Sequence, residues 1–163
     1  MKFIVDANLG KLAKQMRVLG YDTLYYGGKD FHELIQLARQ QERVILTRNG
    51  RLTAKGVQCD IILITEDNPP LQLKELLKKG IVSLNENALF SRCLLCNSVV
   101  ERIGRQEAEG KVPEFIFHLH QEFYRCSRCQ QIYWPGSHLE RMKKRLDDLS
   151  RIQGVKVSTS QVK

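Results

Sequence analysis

What this chain lacks narrows it first. No apolar run approaches the roughly 20 residues that a membrane span needs; the longest purely aliphatic stretch is Ile61-Ile62-Leu63-Ile64. The opening apolar stretch, Phe3-Ile4-Val5, meets Asp6 at once, too soon for the core of a secretion signal. There is no internal repeat and no long low-complexity tract. Five cysteines, an odd number, do not suit a disulfide framework. These absences read as a soluble, cytoplasmic protein with no membrane segment.

What is present is ordinary globular composition. Hydrophobic residues make up 42% and charged residues 27% of 163 positions, enough apolar material for a real core and against wholesale disorder. The length corresponds to one domain with a small appendage. Lys and Arg outnumber Asp and Glu by 26 to 18, for a net charge of +8. That balance suits a polyanionic partner. The excess is uneven: 13 basic against 10 acidic residues up to position 88, and 13 against 8 beyond it.

Residues 1–88 carry an alternating α/β texture. Strands are expected at 2–5, 21–26, 44–47 and 59–65, and helices at 9–19, 31–41 and 71–77. The first helix shows Leu9, Leu12, Ala13, Met16 and Leu19 on one face, with Lys11, Lys14 and Arg17 on the wetter side. Near-continuous apolar strands between helices predict a parallel sheet covered on both faces. From residue 89 the texture changes to cysteine pairs and short strand-like pieces such as Phe115–Leu119. A basic helix is expected over 139–149, and a flexible polar tail over 151–163.

The strongest chemical signal is the pair of Cys-x-x-Cys turns, Cys93/Cys96 and Cys126/Cys129, 29 residues apart. Each puts two thiolates on one tight turn, and two such turns close a tetrahedral four-sulfur zinc site with no open position. That zinc would be structural, supplying folding energy to a small module of residues 89–150. A redox pair or an iron–sulfur cluster is the alternative. Trp134 and His138, just past the second turn, read either as aromatic closure of a small core or as RNA contacts. Cys59 reads as a small buried hydrophobe.

In a parallel sheet, ligands collect at the carboxyl ends of the strands. Asp6 follows the first strand there, Asn49 the third and Asp67 the fourth, while Asp30 and Glu33 open the second helix. Acids on one rim suit magnesium or manganese, which could position water against a phosphate. Each acid also has a plainer reading as a loop residue or helix cap.

The stretches Phe3–Ala13, Val18–Thr23, Glu33–Ala38, Val44–Arg48, Phe90–Asn97, Val112-Pro113 and Tyr133–His138 together resemble the Mut-seven C-terminal family, over about residues 2–149. The resemblance implies a PIN-like ribonuclease domain fused to a zinc ribbon, an RNA substrate and a divalent-metal site of acids. Asp6 corresponds to the first PIN aspartate, and Glu33 or Asp30 to the acid opening the second helix. The family usually has aspartate where this chain has Asn49, which removes a negative charge from the site.

The resulting expectation is a magnesium- or manganese-dependent endoribonuclease using Asp6, Glu33, Asp30, Asn49 and Asp67. Lys11, Lys14, Arg17, Arg48 and Arg51 would steer phosphates. The ribbon would add RNA contacts through Arg92, Arg125, Arg128 and Trp134, with Lys143, Lys144 and Arg145 contributing charge. The alternatives are an inactive RNA- or ribonucleoprotein-binding module and a protein-binding adaptor. PIN-like domains often pair, so a homodimer is also in view.

Overall fold

The computed structural model describes residues 1–53 and 59–136, with 141, 144 and 148 as isolated helical positions. The helix expected over 139–149 lies mostly outside the described residues, as do His138, Lys143, Arg145 and the 151–163 tail. The chain divides into two units, Met1–Asn97 and Ser98–Lys163.

The first unit runs β1 (Lys2–Val5), a 3-10 turn (Ala7–Leu9), α1 (Gly10–Val18), β2 (Asp22–Tyr25) and α2 (Phe31–Gln40). It continues through β3 (Val44–Thr47), α3 (Gly50–Thr53), β4 (Ile61–Leu63) and α4 (Pro69–Lys78). All four strands are parallel, in the order β2-β1-β3-β4. This is the helix-flanked parallel sheet that the apolar strands predict. Its central strand shows why they are apolar throughout: Phe3, Ile4 and Val5 are all fully buried, so neither face meets water. On one face Leu34 and Ala38 of α2 and Leu52 of α3 pack on Ile4 and Ile45. α1 packs against α4, with Leu12, Met16, Leu73 and Leu76 buried.

α1 stops where a glycine is required. Gly20 has φ +86°, and a Cβ there would lie 2.2 Å from the Ala88 carbonyl oxygen. The strand order has a consequence for function. The chain leaves β1 toward β2 on one side and returns to β3 on the other. The β1/β3 boundary is therefore the topological switch point, where an open α/β sheet leaves a crevice at its carboxyl edge.

The second unit holds β5 (Val100–Ile103), α5 (Arg105–Ala108), α6 (Glu114–Leu119), β6 (Phe123–Cys126) and β7 (Ile132–Tyr133). The strands form an antiparallel sheet ordered β5-β6-β7. The expected strand at Phe115–Leu119 is instead α6. Pro113 precedes it at the N-cap position, and Glu114 in its first turn suits the positive end of a helix. The alternating aromatics misled: Phe115 and Leu119, four residues apart, share an exposed face, while Ile116 is buried and Phe117 packs on the core. Among the described residues that core is thin, built on Ile103, Ala108, Ile116, Phe123 and Ile132.

Candidate functional site

The carboxyl edge of the first sheet is built by register. Tyr25, Val5 and Leu46 are paired across β2, β1 and β3. One position further along come Tyr26, Asp6 and Thr47, so Asp6 lies at the switch point between a tyrosine and a threonine. Asp6 is only 4% exposed. Its Oδ1 accepts from the Asn8 amide at 2.9 Å, capping the 3-10 turn. Its Oδ2 accepts from the Thr47 hydroxyl at 2.5 Å. That hydroxyl itself accepts from the Asn49 amide at 3.0 Å, which directs its proton toward Asp6.

No Lys or Arg ion-pairs with Asp6 among the described residues. A buried carboxyl group held only by neutral donors presents oxygens that a bound cation would complement.

The other rim residues have their own partners. Glu33, exposed in the first turn of α2, accepts from the Tyr26 hydroxyl at 2.5 Å. That bond, with a little burial and the charges of Glu33 and Asp30, pushes the Tyr26 phenol up to about 12. Asp30 is the N-cap of α2, accepting from the His32 amide at 2.8 Å. Asn49 Oδ1 accepts from the Arg51 amide at 3.0 Å. Asp67 is ion-paired with Arg48. Among the described residues, three or more metal-ligating side chains converge only at the cysteines. The rim is therefore not a preformed cage of acids. Its donor set fits magnesium in the manner usual for that ion, which takes one or two carboxylates and completes its shell with water and substrate phosphate. Thr47 and Tyr26 were not singled out in the sequence. The signal for both is register, since each directly flanks Asp6 once the strand order is known.

The cysteine centre is the better-formed metal site. In each Cys-x-x-Cys turn the residue after the second cysteine has a left-handed backbone, Asn97 at φ +70° and Gln130 at φ +61°. Its amide donates to the carbonyl of the first cysteine, at 3.0 Å for Asn97–Cys93 and 3.1 Å for Gln130–Cys126. Backbone amides also point at the sulfurs: Cys96 N–H to Cys93 Sγ and Cys129 N–H to Cys126 Sγ, both at 3.5 Å. The four Sγ atoms all lie within 4.8 Å of one another. Zinc–sulfur bonds of about 2.3 Å put tetrahedral sulfurs about 3.8 Å apart, so small shifts would close the shell.

Several expected RNA contacts are structural instead. Arg17 is buried at 4% exposure, not on the wet face of α1. Its Nε donates to Thr23 O at 2.9 Å, and its Nη1 to Leu94 O and Leu95 O at 2.8 and 3.1 Å. Arg92 donates to Gly20 O and Asn97 O. Arg125 bonds Glu107 at 2.9 Å and pairs with Glu101. Lys11, Lys14, Arg51 and Arg128 are exposed, whereas Trp134 is half-buried against the second core. Cys59 is half-buried beside the α2-face core, and its burial pushes the thiol up. No helix among the described residues is long and apolar enough to cross a membrane.

Comparison with known proteins agrees with this arrangement. The human exonuclease mut-7 homolog is 25% identical over 167 residues. The match covers 94% of this chain and 16% of the relative, so the chain spans about a sixth of that protein's length. No solved structure matches. The profile of the Mut7-C RNAse domain aligns with residues 1–146, through both the parallel sheet and the four-cysteine centre, and the chain belongs to that family.

Proposed function

We propose that this protein hydrolyses RNA phosphodiesters at the carboxyl edge of its parallel sheet, with magnesium or manganese held by Asp6 and completed by the substrate phosphate. One observation carries the reading: a buried carboxylate at the topological switch point, oriented by the Thr47 hydroxyl and ion-paired with no Lys or Arg among the described residues. A bound divalent cation would polarise the phosphoryl oxygens and favour water as nucleophile.

Asp6 supplies the negative charge, and Thr47 fixes which way its Oδ2 points. By strand parity Asp6, Tyr26 and Thr47 face the α2 side of the sheet, the side that carries Glu33. Tyr26 holds that carboxylate at a defined place. Asp30 supports it indirectly by capping the helix that bears it. Lys11, Lys14 and Arg51 offer exposed positive charge to the RNA backbone. The four cysteines would hold one zinc in a closed, structural role. The PIN-like ancestry, an internal position of cleavage and a cytoplasmic setting belong to the same reading.

A second reading is favoured by Asn49. Its Oδ1 closes a turn with the Arg51 amide, so the position serves local structure and adds no charge to the rim. On that reading the protein binds RNA or a ribonucleoprotein without cutting it.

The test is cleavage of an RNA labelled at either end, with manganese, by the wild type, Asp6→Asn and Asn49→Asp. Internal cuts by the wild type that vanish in Asp6→Asn support hydrolysis at this site. Cutting that survives Asp6→Asn removes the site from the reaction. RNA binding without cutting, restored to cutting by Asn49→Asp, selects the second reading.

A further inference from the structure

We infer that the groove beside Trp134 in the second unit seats one unpaired RNA base, with Lys111 holding an adjoining phosphate. This deepens the RNA-directed reading and rests on it. The groove is an open surface depression of about 460 Å³. Pro113, Ile132 and Trp134 supply apolar surface, and Gln130 and Gln131 supply amides. Lys111 is the basic member of the lining; the cysteine ligand Cys129 also borders the groove, and Glu107 lies within electrostatic reach of Lys111.

The chemistry of these walls is that of a stacking platform with a cation beside it. Single-stranded RNA is recognised in this way, by aromatic faces for bases and basic groups for the backbone. Trp134 is half-buried against Phe123 and its neighbours, so its ring is braced. Its indole N–H meets no acceptor among the described residues. Gly136 keeps that edge uncovered, since a Cβ there would lie 3.3 Å from the indole Nε1. Each glutamine amide already donates one N–H to a backbone carbonyl, Gln130 to Ser127 and Gln131 to Ile132, both at 3.1 Å. The second N–H and the oxygen of each are left for a base edge, which predicts weak sequence preference.

Trp134 is the chain's only tryptophan, so its emission reports this groove alone. The experiment titrates the full-length, zinc-loaded protein with oligouridylate and oligoadenylate of six nucleotides. No magnesium or manganese is added, so the RNA stays intact. Labelled RNA measures affinity in parallel by anisotropy. Saturable quenching at the anisotropy midpoint is expected, with affinity about tenfold weaker in Trp134→Leu. Trp134→Phe keeps a ring and should retain most of the affinity. Lys111→Glu, an exposed change that leaves the core alone, should weaken binding severalfold while Lys111→Arg does not.

RNA that binds without altering the emission, and equally well to Lys111→Glu, overturns the groove. So does the absence of saturable binding. Quenching by RNA that manganese never causes to be cut would leave the groove standing and remove the nuclease reading. Cutting without quenching would do the reverse.

Discussion

The Arg17 guanidinium, buried within the first unit, donates to the carbonyls of Leu94 and Leu95, the two residues enclosed between Cys93 and Cys96. A residue of α1 thus shapes the first cysteine turn, and its Nε ties the same side chain to Thr23 of β2. Arg17→Met keeps the apolar stem but leaves three carbonyls without this donor. Urea unfolding should show a loss of about 2–4 kcal/mol. Metal affinity at the cysteines should weaken too, because the turn loses its brace.

Chelation should separate the two halves of the molecule energetically. Among the described residues the second unit buries few side chains, so its folding is expected to lean on the metal. Mass spectrometry under native conditions should find one zinc per chain. On its removal, amide exchange should accelerate through 98–136 while β1 and β3 stay protected. Cys126→Ser should mimic the chelator.

Thr47→Val tests the orientation of Asp6. The variant is nearly isosteric at a fully buried position, and it removes the donor to Oδ2. A stability loss of about 1–3 kcal/mol is expected, whereas Thr47→Ser, which keeps the hydroxyl, should lose much less. Asp6→Asn should cost little stability yet lower manganese-dependent cutting by about a hundredfold or more.

The Tyr26–Glu33 bond should be visible by titration. A phenol donating to a carboxylate resists ionisation, because the phenolate would lose the bond and face a like charge. Absorbance near the tyrosinate band should show one of the five tyrosines ionising late, at about 12. Glu33→Gln should return it toward about 10. Gly28→Ala should disturb the same bond, since its Cβ would lie 2.4 Å from the Tyr26 hydroxyl.

Acid should loosen the first unit through Asp22. Burial raises this carboxyl, but hydrogen bonds from Arg43 and Asn97 and the charges of Arg43 and Arg92 outweigh it, leaving the group below its ordinary value. A folded-state value below the unfolded one means that its stabilisation is complete above about pH 4. It is then lost as pH falls through the folded value. Stability measured by urea from pH 6 downward should decline more gently in Asp22→Asn than in the wild type.

Much of this architecture was legible beforehand because it depends on local pattern. Apolar runs such as Val44–Leu46 and the helical spacing of Leu12, Met16 and Leu19 report burial directly. The cysteine turns were legible for a similar reason, since a short spacing suffices to bring two sulfurs together. Phe115–Leu119 failed because five residues hold too little pattern to separate a strand from a helix.

Arg17 shows the limit most plainly. Its place in the helical pattern put it on the wet side, but its carbonyl partners lie 77 and 78 residues away, a distance along the chain that periodicity does not carry.

By itself, then, the order of amino acids determined most elements of the first unit and the two cysteine turns, because each follows from neighbours close along the chain. Only the tertiary structure decided that Thr47 orients Asp6, that Tyr26 holds Glu33, and that Asp67 and Arg17 are committed to an ion pair and a turn. Those outcomes depend on strand order and register. A single shift in either would give every one of these polar atoms a different partner.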